Sequence, residues 1–250
     1  MPTYTLKVAR SPISGISKAD AFQVSLEDRM TVLDALFQVQ RNQDASLAFR
    51  CACRVGMCGT CAMSINRVPR LACKTRAVVL DAQTITVEPL PNLPVIKDLV
   101  VSLDPFFEQW KRVLPALHPV NPDSQELARI PASSEYARQT PRKRDCITCG
   151  ACFAACGIRG LNRGYLGPAA INKAFLRLLD PRDGAKRERL RVLNDERGGV
   201  WRCHTQFNCT GVCPKGIDLT DSIVRLKRAM LRPGRFCGAD LGAGLKAGAA

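Results

Sequence analysis

Cysteine spacing constrains this chain more than any other feature of its sequence. Of 13 cysteines, all but Cys51 and Cys237 fall into ordered sets. Cys53, Cys58 and Cys61 form C-x4-C-x2-C with Cys73 following, and Cys146, Cys149, Cys152 and Cys156 form C-x2-C-x2-C-x3-C. These are the ligand spacings of plant-type [2Fe-2S] and bacterial cubane clusters respectively. A further set, Cys203, Cys209 and Cys213 ahead of Pro214, repeats the cubane run except that Gln206 stands where its second cysteine belongs.

Where two cubane runs share a chain, each gives three cysteines to one cluster and its fourth to the other. On that rule Cys146, Cys149, Cys152 and Cys213 hold a [4Fe-4S] cluster. Cys156, Cys203 and Cys209 then hold three corners of the last cluster, and a corner facing Gln206 without a thiolate implies [3Fe-4S]. With Cys53, Cys58, Cys61 and Cys73 around [2Fe-2S], three clusters in one chain read as an electron wire. Zinc also takes four thiolates, but its sites pair two C-x2-C knuckles, unlike the run of four or the wider Cys53–Cys58 gap. Disulfides are disfavoured because the first residues, Met1 to Arg10, carry no hydrophobic targeting core. Cys51 and Cys237 are read as spare thiols.

The 250 residues suit two ordinary domains, and 46% hydrophobic content is enough to bury cores. No apolar run reaches membrane-spanning length, so a soluble or peripheral chain is expected. A formal charge of +15 attracts something anionic: nucleic acid, acidic lipid headgroups or an acidic subunit. The basic residues, including Arg142-Lys143-Arg144, Lys186-Arg187, Arg189, Arg191 and those from Arg225 to Arg235, are not interleaved with stacking aromatics. Most are assigned to solvated faces, and no nucleic-acid partner is expected.

Alternation predicts strands over residues 3–10 and 21–26 with a turn at Ser14-Gly15, then a helix through Val32–Val39 capped by Asp28 or Thr31. After the cysteine loop come strand-like pieces at Ala62–Ile65, Ala77–Leu80 and Thr84–Val87. Prolines 89, 91, 94 and 105 suggest an interdomain connection, Phe106–Leu114 a helix, and Pro115–Pro141 an irregular segment. Helices are predicted at Pro168–Leu179, Arg187–Leu193 and Leu219–Leu231, the last capped by Asp218 or Thr220. The expected fold class is α+β: a β-grasp [2Fe-2S] ferredoxin-like domain over 1–104, a mainly helical bacterial-ferredoxin-type domain with two clusters over 105–237, and a Gly/Ala-rich tail over 238–250.

These residues resemble the iron–sulfur subunits of succinate dehydrogenases and fumarate reductases over about residues 3 to 235. The resemblance rests on Cys53-Arg54-Val55-Gly56-Met57-Cys58-Gly59-Thr60-Cys61, on Thr31-Val32-Leu33-Asp34-Ala35-Leu36, and on Cys213-Pro214-Lys215-Gly216. Gly167-Pro168-Ala169-Ala170-Ile171, Leu193-Asn194 and Gly199-Val200-Trp201 add to it. Gly157 stands where the family usually has proline, and Ile158-Arg159-Gly160-Leu161-Asn162 lacks a tryptophan found near quinone in ubiquinone-reducing members. That segment looks more like the fumarate-reductase branch. Gln206 replaces a residue that is usually apolar.

The resemblance implies a quinone-linked oxidoreductase of the tricarboxylic acid cycle type, in which this chain carries electrons and a partner holds the dicarboxylate site. FAD would sit on a flavoprotein subunit, and quinone at the interface with membrane anchor subunits. His204 matches a histidine near quinone in succinate dehydrogenases; a polar contact to cluster sulfur or backbone is its plainer reading. The implied location is peripheral, on the cytoplasmic side of the inner membrane. Two rivals remain open: a wire serving another flavoprotein or a thiol-linked fumarate reductase, and a free-standing ferredoxin-like carrier or metal-containing nucleic-acid protein.

Overall fold

The computed structural model describes residues 2–10, 18–123 and 129–231. The Ser14-Gly15 turn, Cys237 and the tail over 238–250 lie outside the described residues. The chain divides into two compact units, the first comprising Met1–Pro105, Ile147–Ala155 and Val212–Pro214, the second Phe106–Cys146, Cys156–Gly211 and Lys215–Ala250.

The first unit is built on a five-stranded sheet ordered β2-β1-β5-β3-β4. Strands β1 (Thr3–Arg10) and β2 (Lys18–Ser25) pair antiparallel, and β1 pairs parallel with β5 (Thr84–Glu88). Strand β3 (Ala62–Ile65) lies antiparallel to both β5 and β4 (Val68–Leu71). Alternation in β1 sends Leu6 and Val8 to the interior, where Val32, Leu33, Leu36 and Val39 of the helix Val32–Asn42 meet them in one core. Thr31 caps that helix by accepting from the Asp34 amide while Asp34 accepts from the Thr31 amide, a reciprocal capping box.

Three local expectations need correction. Ala77–Leu80 is a 3-10 turn rather than a strand, with Ala77 buried and Val78 and Val79 exposed. A four-residue apolar run has no periodicity to separate these outcomes. The supposed interdomain connection contains a hairpin of β6 (Val95–Lys97) and β7 (Val100–Val101). Within Pro115–Pro141, Ser134 caps a short helix, Glu135–Gln139.

The second unit is helical. Pro168 opens the helix Pro168–Leu179 at its first turn, where a missing N–H costs nothing. Its Ile171, Ala174, Phe175 and Leu178 share a core with Leu190 and Leu193 of the helix Lys186–Leu193 and with Ile223 and Leu226 of the helix Leu219–Leu231. The helix Asp104–Arg112 carries a stacked Phe106–Trp110 pair. Asp218, not Thr220, caps Leu219–Leu231, accepting the Asp221 amide at 2.9 Å.

Two basic residues assigned to solvated faces are buried. Arg189 is fully buried, pairs with Asp183 and donates to the carbonyls of Leu114 and Ala116 at 2.6 and 2.7 Å. Lys143 donates to Asp221, Ser222 and the Asp218 carbonyl at 2.8, 3.0 and 3.1 Å. Buried cations need such partners, and here all but Asp183, which is 6 residues from Arg189, lie more than 70 residues away, where a sequence pattern cannot reveal them.

Candidate metal centres

The loop between the helix Val32–Asn42 and β3 carries Cys53, Cys58 and Cys61, while Cys73 follows β4 in the turn Ala72–Lys74. The Cys61 carbonyl accepts from the Ala72 amide at 3.1 Å, which ties the Cys73 segment to the loop. Backbone amides of Met57 and Cys58 donate to Cys53 Sγ at 3.2 and 3.3 Å. Arg54, Gly56 and Gly59 take positive φ (58°, 75° and 75°), turns of the kind a loop needs to bring amides onto an anionic centre. Thr60 Oγ1 lies 3.1 Å from Cys58 Sγ. That contact first, with the Cys53 and Thr60 backbone amides, holds the Cys58 thiol down at about 6. Burial first, then the neighbouring Cys73 and Cys58, push Cys61 up to about 12, against a downward pull from a backbone amide. All four expected ligands are thus brought together. Cys51 is half-buried against the sheet core beside them.

Cys149, Cys152 and Cys213 fall within the first unit, and Cys146 closes a segment of the second. A Cβ built on Gly59 would lie 2.7 Å from Cys149 Cβ and 3.1 Å from its Cα. The first cysteine loop therefore packs directly against a ligand expected for the second cluster. Ile147 and Cys149 also pack on the core of the first unit.

In the second unit Cys156, Cys203 and Cys209 line one cavity of ≈ 330 Å³ open to solvent, together with His204, Gln206, Phe207 and Tyr165. Thr205 N donates to Cys203 Sγ at 3.4 Å, and Cys209 Sγ lies 3.6 Å from Thr220 Oγ1. The Lys227 ammonium donates to the Cys203 carbonyl at 2.7 Å, fixing that loop to the helix Leu219–Leu231. Gln206 faces this cavity, and its Oε1 lies 3.2 Å from where a Cβ on Gly157 would be. His204 is exposed on the rim.

Burial pushes the Cys156 and Cys209 thiols up, so as bare thiolates they would be costly. Iron bound to them would remove that cost, and soft sulfur donors with inward amides fit an iron–sulfur cluster. A cluster takes its terminal thiolates one per iron, so the shared cavity matters more than convergence at one point. Among the described residues no three His, Cys, Asp or Glu groups meet as ligands of a single ion.

Tyr165 escaped sequence reasoning. It is 1% exposed, and its hydroxyl is buried with no hydrogen-bond partner among the described residues. Burial, then Cys203 and Cys156, push this phenol upward; Cys203 lies near without meeting hydrogen-bond geometry. The only signal in the sequence is an aromatic residue just before Gly167-Pro168, which marks core as readily as a site.

Comparison with known proteins bears on both units. Residues 5–108 match the family of 2Fe-2S iron-sulfur cluster binding domains, and residues 143–217 match the 4Fe-4S dicluster domain. The mitochondrial succinate dehydrogenase [ubiquinone] iron-sulfur subunit of Dictyostelium discoideum is 37% identical over 82% of this chain and 74% of its own. The fumarate reductase iron-sulfur subunit of Haemophilus influenzae is 38% identical over 81% of this chain and 82% of its own. Among solved structures, a chain of the Mycobacterium smegmatis Sdh1 complex in the apo form superposes with a TM-score of 0.83 at 28% identity, covering 94% of this chain and 98% of that one. The expected α+β class, with a [2Fe-2S] sheet domain ahead of a helical dicluster domain, therefore holds.

Proposed function

Because the chain belongs to the family of succinate dehydrogenase and fumarate reductase iron–sulfur subunits, we propose that it carries electrons between the FAD of a flavoprotein subunit and a membrane quinone. Iron–sulfur clusters, when bound, pass electrons one at a time. Cys53, Cys58, Cys61 and Cys73 hold [2Fe-2S]; Cys146, Cys149, Cys152 and Cys213 hold [4Fe-4S]; Cys156, Cys203 and Cys209 hold [3Fe-4S]. The observation that carries this reading is the cavity shared by Cys156, Cys203 and Cys209, with Gln206 facing it in place of a fourth thiol.

The chain's own residues supply ligation and tuning rather than bond-breaking chemistry. Amides of Met57, Cys58 and Thr205 donate to ligand sulfurs, where they would offset the negative charge of a bound cluster. Gly59, lacking a side chain, lets the first cysteine loop approach the Cys149 backbone, which suits transfer between neighbouring centres. His204, on the cavity rim, would meet a quinone held with membrane anchor subunits. No helix among the described residues is long and apolar enough to cross a membrane, and a peripheral place on the cytoplasmic side of the inner membrane suits the charge of +15. The absence of tryptophan from Ile158–Asn162 favours, as a second reading, service to another flavoprotein or a thiol-linked fumarate reductase.

Purification without air should yield the chain with a flavoprotein and about nine irons per chain, following the ligand count. Stoichiometric zinc, or iron for one cluster only, would overturn the ligand assignment. Recovery with a flavoprotein that turns over neither succinate nor fumarate would favour the second reading.

A further inference from the structure

Buried phenols are rarely left without a partner, because a hydroxyl taken out of water with no hydrogen bond made in its place is costly. Tyr165 nevertheless buries its hydroxyl in the wall of the cavity shared by Cys156, Cys203 and Cys209, with no acceptor in bonding geometry among the described residues. The ring is 1% exposed, and the segment that carries it is held at its backbone. The Tyr165 amide donates to the Asn162 carbonyl at 3.2 Å, the next amide, Leu166 N, to Gly198 at 2.8 Å, and the buried Arg159 guanidinium holds the Tyr165 carbonyl at 2.7 Å. A Cβ on Gly198 would fall 2.1 Å from the Gly164 carbonyl oxygen, so the strap that clamps this segment is itself packed against it. A phenylalanine would fill the same apolar space without an orphaned donor. The hydroxyl therefore points to an acceptor that occupies the cavity in the working protein.

We propose that the Tyr165 O–H donates a hydrogen bond to a sulfur of the cluster held by Cys156, Cys203 and Cys209, and so raises that cluster's reduction potential. The proposal rests on the three-iron reading of this site. One-electron reduction adds negative charge to the cluster, and a hydrogen bond strengthens as its acceptor becomes more negative. The bond thus stabilises the reduced state more than the oxidised one, with no proton leaving Tyr165. Tyr165 acts as a positioning and tuning residue, since it supplies no ligand.

The test is a redox titration of the assembled complex, followed by the paramagnetic resonance of the oxidised three-iron cluster. Tyr165→Phe keeps the ring, so the signal should persist with its midpoint displaced downward. The expected change is about tenfold in the reduced-to-oxidised ratio at fixed potential, which is about 59 mV for one electron. Site-specific replacement of Tyr165 by 3-fluorotyrosine, a stronger donor of nearly the same size, should displace the midpoint upward. It also keeps the hydroxyl should the phenylalanine variant fail to assemble. A purely structural role predicts lower cluster content at an unchanged midpoint, and an unchanged midpoint in either assembled variant overturns the proposal. A wild-type complex with no three-iron signal overturns instead the ligand assignment on which the proposal stands.

Discussion

Two loops of this chain share a backbone and differ in chemistry. Cys146-Ile147-Thr148-Cys149-Gly150-Ala151-Cys152 and Cys203-His204-Thr205-Gln206-Phe207-Asn208-Cys209 place their first and last cysteines in register. Thr148 and Thr205 both take positive φ, 51° and 57°, as do Gly150 and Phe207 at 81° and 61°. Each loop then opens a short helix in the same manner. The Gly150 carbonyl accepts from Phe153 and Ala154 at 3.1 and 2.9 Å, and the Phe207 carbonyl accepts from Thr210 and Gly211, both at 3.0 Å. Gln206 therefore occupies the loop position of Cys149, so the missing thiol reflects a substitution within a preserved shape. The left-handed turns and helix starts of these loops are shared, and the side chain at one position decides the ligand count.

The largest expected effect comes from exchanging that one side chain between loops. Cys149→Gln should leave the [4Fe-4S] site with three thiolates, so its reduced four-iron resonance disappears. Quinone-linked turnover should fall by more than the roughly 10–100-fold typical of groups that only orient a ligand. Gln206→Cys should do the reverse at the last cluster: a fourth iron is captured, the oxidised three-iron signal is lost, and a cluster of lower potential takes its place. Quantified paramagnetic resonance on anaerobic protein reads both. If Gln206→Cys retained the three-iron signal in a folded chain, the equivalence of the two loops would be broken at its central position.

A smaller effect separates Gly150 from its counterpart. At φ 81° a side chain is strained, and a Cβ there would also lie 3.2 Å from Leu103 Cδ2 and 3.6 Å from Leu90 Cδ1. Gly150→Ala should cost about 1–2 kcal/mol, a fall in Tm of about 2–8 °C, measurable by calorimetry. An unchanged Tm would show that the loop relaxes freely and that its left-handed turn is not required.

Much of this molecule was legible wherever a strong period met a cap. The helices Pro168–Leu179 and Leu219–Leu231 have the predicted limits because apolar residues recur at helical spacing between a proline or aspartate start and a polar end. Strand β4 was missed because Pro69 argues against a strand, yet β4 lies at the sheet edge, where a missing donor is tolerated. In the candidate sites the cysteines were readable because ligand spacing is local and specific. Tyr165, Lys143 and Arg189 were not. Each owes its meaning to groups that no local pattern places beside it: three thiols around a cavity, a helix start at Asp218–Ser222, and the Leu114 and Ala116 carbonyls.

The smallest expected effect lies at Phe207, which takes the position of Gly150 with an aromatic side chain. A left-handed L-residue costs about 1–2 kcal/mol, and glycine would relieve that. Against this, Phe207 is 59% exposed, so it buries only a minor part of its surface in the cavity wall. Complete burial of a phenylalanine gains about 1.5–3 kcal/mol, so the part buried here is worth about 1 kcal/mol. The greater freedom of glycine in the unfolded chain takes back about 0.5–1 kcal/mol of the strain relief. Phe207→Gly should therefore leave stability within about 1 kcal/mol of wild type, in contrast to the loss at Gly150→Ala, with the three-iron signal retained. Calorimetry of the two variants side by side measures the asymmetry. A Tm fall at Phe207→Gly as large as that at Gly150→Ala would mean that the ring, rather than the backbone turn beneath it, holds this loop around its ligands.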